Sequence, residues 1–263
     1  MKAVVMTEKE SGQAITREKY DALLFDLDGV LTDTANLHAA CWKKMFDAFL
    51  QTHAKEKNIP FQPFDIGEDY KQYVDGKLRY EGVRSFLESR GIRLPYGDPD
   101  DPPSYESITG LGNIKDRMVK EALRSGGIEV YQGNISFLRY MRRQGFKTGV
   151  VSASKNCRAV LQAAGIEDLF DVRVDGEVAA RLNLPGKPAP DTFLEAAKEL
   201  GSRPERAVVI EDALSGIQAG RDGGFGLVVG IEHHRNRQAL EAQGADIVVS
   251  DLSELIRTED LQT

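Results

Sequence analysis

The residues best suited to chemistry form the stretch Asp26-Leu27-Asp28-Gly29, which directly follows the apolar run 22–25. A short apolar run bounded by polar residues and a glycine is typical of a buried strand. Because residues two apart in an extended backbone face the same way, Asp26 and Asp28 leave this strand together. Carboxylates this close repel each other unless a cation lies between them or one is protonated. Beside a metal ion, one carboxylate could accept a phosphoryl group while its neighbour transfers protons.

Two other interpretations compete with an active site. A calcium-binding loop counted from Asp26 requires Gly at its sixth position and Glu at its twelfth. Those positions hold Leu31 and Leu37, which excludes this interpretation. A polar turn is the commoner explanation for an isolated D-x-D-G pattern, so a functional interpretation needs support from elsewhere in the chain.

The composition is that of an ordinary globular protein, with 263 residues of which 41% are hydrophobic and 29% charged. The net charge of −7 argues against a general nucleic-acid binder, which needs clustered Lys and Arg. Apolar runs are too short to cross a bilayer, so we expect no membrane association. Cys41 and Cys157 have neither disulfide-framework nor metal-ligand spacing, and we expect buried thiols in a cytoplasmic protein.

Strands and helices alternate along the second half of the chain. Strands are predicted at 22–25, 146–152, 207–210, 225–229 and 246–249. This alternation predicts an α/β fold with a doubly wound, Rossmann-like parallel sheet. Because residues 37–125 are mainly helical, we expect them to form an inserted cap. The predicted organisation is a tail at 1–19, a core at 20–36 and 126–263, and a cap at 37–125.

Polar side chains follow several of these strands, and the ligand crevice of such a sheet lies at the strands' carboxyl ends. Ser152 follows one strand, and Glu211 and Asp212 follow another. Lys187 precedes a helix that we expect Asp191 to cap. We therefore expect these groups to meet Asp26 and Asp28 at one point.

This set of groups suits phosphoryl transfer, which depends on positioning and charge stabilisation. The carboxylates form an all-oxygen site appropriate for Mg²⁺. Ser152 can donate a hydrogen bond to a phosphate oxygen, and Lys187 can neutralise phosphate charge. Asp26 is ionised at neutral pH and can act as a nucleophile without a base.

Four segments resemble the four motifs of the haloacid dehalogenase superfamily of phosphotransferases. They read D-L-D-G-V-L-T-D-T, V-S-A-S-K-N, G-K-P-A-P-D and V-I-E-D-A, and the resemblance covers residues 20 to about 250. Within the superfamily the chain most resembles the β-phosphoglucomutase-like family, whose members interconvert β-glucose 1-phosphate and glucose 6-phosphate. This implies a glucose 1,6-bisphosphate intermediate and a monomer or weak dimer.

The resemblance also implies a role for each matching residue. Asp26 would be the phosphorylated nucleophile and Asp28 the general acid/base. Mg²⁺ would be held by the Asp26 carboxylate, the Asp28 carbonyl and Asp212, with Glu211 close by. The implied phosphate ligands are Ser152, Ala153, Lys187 and, in the cap, Arg79. The implied sugar-contacting residues are Thr34, His38, Gly76, Lys115, Ser154, Lys155 and Asn156.

Interpretations without a functional role remain open for several residues, and two rival functions remain open for the chain. His38 and Arg79 could be ordinary surface side chains, and His233-His234 fits a surface loop better than a metal pair. A sugar-phosphate phosphatase on the same scaffold is the first rival function. A phospho-accepting signalling receiver is the second, although receivers place the acidic pair before the acceptor aspartate.

Overall fold

The strand that precedes Asp26 lies inside a parallel sheet. The computed structural model describes residues 15–125, 128–233 and 235–256. Within these ranges six strands pair in the order β3-β2-β1-β4-β5-β6, all parallel. The strands are β1 Ala22–Phe25, β2 Lys147–Val151, β3 Val172–Val174, β4 Ala207–Glu211, β5 Leu227–Ile231 and β6 Ile247–Val249.

Helices cover both faces of this sheet and build the insertion after β1. The described α-helices are α1 Ala35–Lys57, α2 Arg79–Ser89, α3 Ile108–Ser125, α4 Gln132–Arg143, α5 Cys157–Ala163, α6 Gly176–Leu182, α7 Asp191–Glu199, α8 Leu214–Asp222 and α9 Arg237–Gln243. A π-helical turn spans Tyr70–Val74, and short 3₁₀ turns occupy Glu167–Leu169, Pro204–Arg206 and Leu252–Leu255.

β1 is buried on both faces, as expected of a central parallel strand. Leu23 and Phe25 belong to the hydrophobic cluster that includes α4 and α5. Ala22 and Leu24 belong to the cluster on the other face, which includes α7. This alternation follows from the two-residue period of a strand and confirms the predicted doubly wound core.

Two local predictions were wrong. The strand Val172–Val174 was not predicted, because three residues with an arginine in the middle carry too weak an apolar pattern. Asp191 does not cap α7, since it is the first helical residue and Pro190 occupies the cap position. Asp175 caps α6, where its side chain accepts hydrogen bonds from the backbone of Glu177 and Val178.

Helices α1, α2 and α3 share a hydrophobic cluster of their own, distinct from those of the sheet. Phe46 lies at its centre, with its ring 5.3 Å from Trp42, 5.0 Å from Phe64 and 4.3 Å from Phe86. Helical spacing places the α1 aromatics on one face. The insertion therefore has its own core, and the boundaries 37–125 stay a prediction.

The beginning of the chain is attached to the sheet domain from residue 15 onward. Ile15 packs against the main hydrophobic cluster, and Arg206 donates a 3.1 Å hydrogen bond to the carbonyl of Glu18. The rest of the predicted tail, residues 1–14, lies outside the described residues. No helix within the described ranges is both long and apolar enough to cross a membrane.

Asn134 joins three separate elements through its buried amide. Its Nδ2 donates to the carbonyl of Val30 at 2.6 Å, and its Oδ1 accepts from the backbone N–H of Leu252 at 2.7 Å. The side chain thus ties α4 to the loop after β1, which carries Asp28, and to the final 3₁₀ turn.

We expect Asn134→Ala to lower the free energy of unfolding by about 2–4 kcal/mol, because it leaves two buried backbone groups unpaired. Urea denaturation monitored by circular dichroism measures this change. Ser136→Ala is the matched control, since it removes an exposed hydroxyl from the same helix. Equal stability of the two variants would contradict the proposed link.

Candidate active site

The predicted convergence of polar groups at the carboxyl ends of the strands is observed. Phe25 of β1 pairs with Val150 of β2 and with Ile210 of β4. This register places Asp26 beside the end of each neighbouring strand, where Ser152 and Glu211 lie. A carboxylate cluster forms there, with ligand oxygens of Asp26, Glu211 and Asp212 within 4.8 Å of one another.

The cation Lys187 lies between two carboxylates of this cluster. Its Nζ lies 2.5 Å from Asp26 Oδ1 and 2.5 Å from Glu211 Oε1, and it donates to the carbonyl of Val151 at 3.2 Å. Burial alone would lower the pKa of Lys187, but the two carboxylates raise it above its ordinary value. Lys187 is therefore charged, and the peptide bond that joins it to Pro188 is cis.

Glu211 is held rigidly within β4. It is fully buried, and its second carboxylate oxygen accepts hydrogen bonds of 3.0 Å from the backbone N–H groups of Asp212 and Ala213. The close approach of α8 depends on glycine, because a Cβ at Gly216 would overlap the Glu211 carboxylate. Glu211 thus acts as an anchor for Lys187 at the edge of the carboxylate cluster.

The cluster carries more negative charge than Lys187 can balance. Burial, followed by the charges of Asp75, Glu211 and Asp26, raises the pKa of Asp212 well above its ordinary value. Burial also raises the pKa of Asp26, although Lys187 opposes the shift. Buried carboxylates are stable in the charged form only when a cation compensates them. The oxygen donors of Asp26, Glu211 and Asp212 therefore fit a hard divalent metal ion.

Asp28 is oriented by three neighbours. The hydroxyl of Thr34 donates to Asp28 Oδ1, and the hydroxyl of Ser152 lies 3.5 Å from Asp28 Oδ2. The Nε2 atom of His38 lies 3.4 Å from Asp28 Oδ1. Thr34, predicted to contact the sugar, thus touches Asp28 directly, and Asp28 is placed to exchange a proton with a molecule in the cavity.

His38 and Lys115 form a buried pair between helices α1 and α3. Lys115 Nζ lies 2.6 Å from His38 Nδ1. Burial, reinforced by the charge of Lys115, lowers the pKa of His38 to about 4. Burial likewise lowers the pKa of Lys115 to about 8. At neutral pH, a neutral His38 therefore accepts from the Lys115 ammonium at Nδ1 and directs its Nε2 proton towards Asp28.

One cavity joins the carboxylates of the sheet domain to polar groups of the insertion. The predicted site residues that line it are Asp26, Asp28, His38, Gly76, Arg79, Lys115, Ala153, Ser154, Lys155, Asn156 and Asp212. Ser152, Lys187 and Glu211 are buried next to the two aspartates. The surface alternatives for His38 and Arg79 are wrong, because His38 is buried and the Arg79 side chain is 13% exposed.

Several further residues that line the cavity were missed by the sequence analysis, among them Trp42, Tyr70, Asp75 and Asp116. Trp42 lines the cavity from α1, and the ammonium of Lys115 lies 4.9 Å from the centre of its indole. Tyr70 and Asp75 come from an aperiodic segment, while Asp116 belongs to a charged helix face. Trp42 lies four residues after His38 on the same helix face, and this spacing could have identified it as a residue of the site.

The Asp75–Gly76 segment brings the insertion onto the sheet domain. Ser215 donates a 2.8 Å hydrogen bond to the carbonyl of Asp75. Gly76 has a φ of 71°, and a Cβ there would overlap the Ser215 hydroxyl. Burial, followed by the charge of Glu211, raises the pKa of Asp75 to about 7.

His233 was predicted to lie on a surface loop, and the structure shows that it contacts two other segments of the chain. Its Nε2 lies 2.7 Å from the carbonyl oxygen of Gly29, and its ring lies 5.5 Å from that of Tyr131. It therefore supports the turn that follows Asp28. His234 lies outside the described residues.

The fold and the site define a class of phosphoryl-transfer proteins, and comparison with known families agrees. The model of the haloacid dehalogenase-like hydrolases matches residues 20–224. The chain belongs to this family. The receiver alternative is thereby excluded.

Its relatives place the chain more narrowly, among the β-phosphoglucomutase-like members. It is 50% identical to the β-phosphoglucomutase of Mycobacterium tuberculosis (strain CDC 1551 / Oshkosh) over 91% of this chain and 92% of the relative. The crystal structure of β-phosphoglucomutase from Clostridium difficile is 26% identical, with a TM-score of 0.68 over 92% of this chain and 96% of that one. A structure of CbbY from Rhodobacter sphaeroides in complex with xylulose-(1,5)-bisphosphate is also 26% identical, with a TM-score of 0.68 and coverages of 92% and 99%.

The pair of His38 and Lys115 predicts the protonation behaviour of the histidine. Because burial and the Lys115 charge both disfavour the imidazolium, we expect His38 to titrate near pH 4 rather than near 6.5. Since the unfolded chain then binds more protons between these values, His38 lowers folding stability as the pH falls through this window. Nitrogen-15 NMR of the ring reads the titration directly.

Lys115→Met is the matched variant for this measurement. It removes the second cause of the shift and leaves burial in place, so the pKa of His38 should move upward towards its ordinary value. A wild-type His38 that gains its proton near pH 6.5, or a pKa that does not respond to Lys115→Met, would contradict the proposed pair.

Proposed function

We propose that this chain is a phosphotransferase that interconverts β-glucose 1-phosphate and glucose 6-phosphate through a phosphorylated Asp26 and a glucose 1,6-bisphosphate intermediate. The observation that carries the proposal is a single cavity with a cationic side chain at each end. Asp26 and Asp28 lie at the end next to Lys187, while Arg79 lines the same cavity from the insertion. The 50% identity to a β-phosphoglucomutase over nearly the whole chain supports the same activity.

The first half-reaction moves a phosphoryl group from the enzyme to the sugar. Asp28 accepts the proton of the sugar's C6 hydroxyl, whose oxygen forms the new bond to phosphorus as the bond to the Asp26 carboxylate breaks. Ser152 and Lys187 stabilise the transferring group by hydrogen bonding and charge. The products are glucose 1,6-bisphosphate and a free Asp26 carboxylate.

The second half-reaction repeats the chemistry with the bisphosphate turned end for end. The Asp26 carboxylate attacks the phosphorus at C1, and Asp28 donates its proton to the departing C1 oxygen. Arg79 holds the phosphate that does not react. Ser154, Lys155 and Asn156 were predicted to contact the sugar and line the same cavity. We extend their role to this phosphate because Asn156 and Arg79 both contact Asp116 Oδ1. Glucose 6-phosphate leaves, and Asp26 is phosphorylated again.

We propose Mg²⁺ as the ion of the carboxylate cluster. Asp26, Asp212 and the carbonyl of Asp28 would hold it, with Glu211 close by. Bound there, Mg²⁺ supplies the positive charge that lets Asp26 approach an anionic phosphoryl group. The all-oxygen donors and the excess of buried negative charge support this assignment.

The rival function on this scaffold is hydrolysis of a sugar phosphate. A phosphatase needs only water as the acceptor, whereas a mutase must keep water away from the acyl phosphate. The contacts of Asp75 with Ser215 and of Asp116 with Asn156 join the insertion to the sheet domain over the cavity. This covered arrangement favours the mutase.

A cytoplasmic location and a monomer or weak dimer remain predictions.

Anomer-resolved phosphorus NMR tests the proposed activity. With Mg²⁺ and a trace of glucose 1,6-bisphosphate, we expect conversion of β-glucose 1-phosphate but not of its α anomer. Asp26→Asn should reduce the rate at least about 10³-fold, because the amide cannot form the covalent intermediate. Asp33→Asn, which alters an exposed aspartate of the same loop, is the control. Release of inorganic phosphate as the main reaction would favour the phosphatase instead.

Binding of the metal ion predicts a change in thermal stability. Mg²⁺ at about 100 times its Kd should raise the Tm of the wild type by about 5 °C, because it binds the folded state alone. Asp212→Asn should abolish this rise without lowering the Tm of the metal-free protein, since it relieves crowded buried charge. Differential scanning calorimetry measures both effects.

Asp222→Asn serves as the control for the calorimetry, because Asp222 is an exposed carboxylate outside the cluster. This variant should keep the full response to Mg²⁺. A response that survives in Asp212→Asn would exclude Asp212 as a ligand.

A further inference from the structure

Asp116 makes an unusual set of contacts at the cap end of the cavity. Its Oδ1 lies 2.6 Å from Arg79 Nη1 and also accepts a 2.9 Å hydrogen bond from Asn156 Nδ2. Its Oδ2 lies 2.8 Å from Lys120 Nζ. Burial alone would raise the pKa of Asp116, but Arg79, Lys120 and Asn156 together lower it below its ordinary value. Asp116 is therefore a carboxylate at neutral pH.

These contacts connect the two parts of the molecule. Arg79 begins α2 and Asp116 lies on α3, both in the insertion, whereas Asn156 immediately precedes α5 in the sheet domain. A single carboxylate oxygen thus bridges the insertion and the core in the lining of the cavity. The Arg79 and Asp116 side chains are 13% and 15% exposed, so solvent screens their interaction only weakly.

The partners of Asp116 are the groups that a phosphate would use. Arg79 and Asn156 are the proposed ligands of the non-reacting phosphate, and a carboxylate presents the same kind of anionic oxygen acceptor. Arg79 Nε is also buried and has no hydrogen-bond partner among the described residues, so its N–H can still donate a hydrogen bond to another oxygen. Asp116 therefore competes with a phosphate for the same donors.

We propose that Asp116 is a specificity-determining residue that a substrate's second phosphate must displace from Arg79 and Asn156. This inference rests on the proposed function, because it assigns those two residues to the second phosphate. A phosphate carries more negative charge and more acceptor oxygens than a carboxylate, so it can take over both donors while Asp116 keeps Lys120. A neutral hydroxyl at that end of the sugar cannot. Asp116 thereby selects substrates with an anionic group at the cap end.

Isothermal titration calorimetry with inorganic phosphate tests the competition. The variant Asp116→Asn removes the charge and keeps the side-chain size, and we expect it to bind phosphate about tenfold more tightly. The gain in phosphate affinity should vanish when Arg79→Ala is added, because both substitutions act on the interaction between phosphate and Arg79. Should Asp116→Asn fail to fold, Asp116→Ser removes the same charge with a smaller side chain and is compared in the same way.

Asp69→Asn is the matched control. Asp69 forms a comparable cap ion pair, 2.7 Å from Arg90 with side chains 13% and 23% exposed, outside the residues that line the cavity. Asp69→Asn should leave phosphate affinity unchanged.

In the mutase assay, Asp116→Asn should lower KM for β-glucose 1-phosphate about tenfold and change kcat by less.

The outcomes separate the two proposals. A weaker phosphate affinity in Asp116→Asn, matching that of Arg79→Ala, would show that Asp116 only supports Arg79 and would overturn the inference. No change in affinity would overturn it as well. Absence of mutase turnover in the wild type would instead reject the proposed function, while the phosphate titration still decides the role of Asp116.

Discussion

Buried negative charge at the carboxyl ends of β1 and β4 is the constraint on which the rest of the structure depends. The parallel register brings Asp26 beside Glu211, and the turn after β4 adds Asp212. Lys187 pairs with the first two and leaves the remaining carboxylates uncompensated. Protonation or a further cation relieves the repulsion in a site of this kind, and a divalent cation there would also serve the proposed phosphoryl transfer.

The insertion supplies what the sheet domain lacks. Its α1 carries His38 to Asp28, and its α2 and α3 place Arg79 and Lys115 on the far side of the cavity. A sheet domain alone would bind one phosphate and transfer it to any acceptor, including water. By providing a second cationic side chain and a cover, the insertion would supply what the proposed reaction needs to bind a sugar with two phosphates and to exclude water.

The sequence analysis succeeded where local pattern and position agree. The strand ending at Phe25 and the acidic pair after it form a short, strongly apolar run with a polar boundary, and parallel-sheet topology then predicts which residues meet. It missed the strand Val172–Val174, which has little periodicity. It also placed the cap of α7 at Asp191, which is the first residue of that helix, because residue type alone does not locate a helix start to the residue. Residues at the cap end of the cavity were predicted only where they match a family motif.

The amino-acid sequence by itself determined the central strand, the carboxylates that follow it and the class of chemistry they can perform. These properties depend on short-range periodicity and on the common edge of a parallel sheet. Only the tertiary structure decided that His38 is neutral beside Lys115, and that Asp75 and Asp116 face the cavity. Such contacts join segments far apart in the chain, so burial and charge pairing across the insertion set them, and no local pattern encodes either.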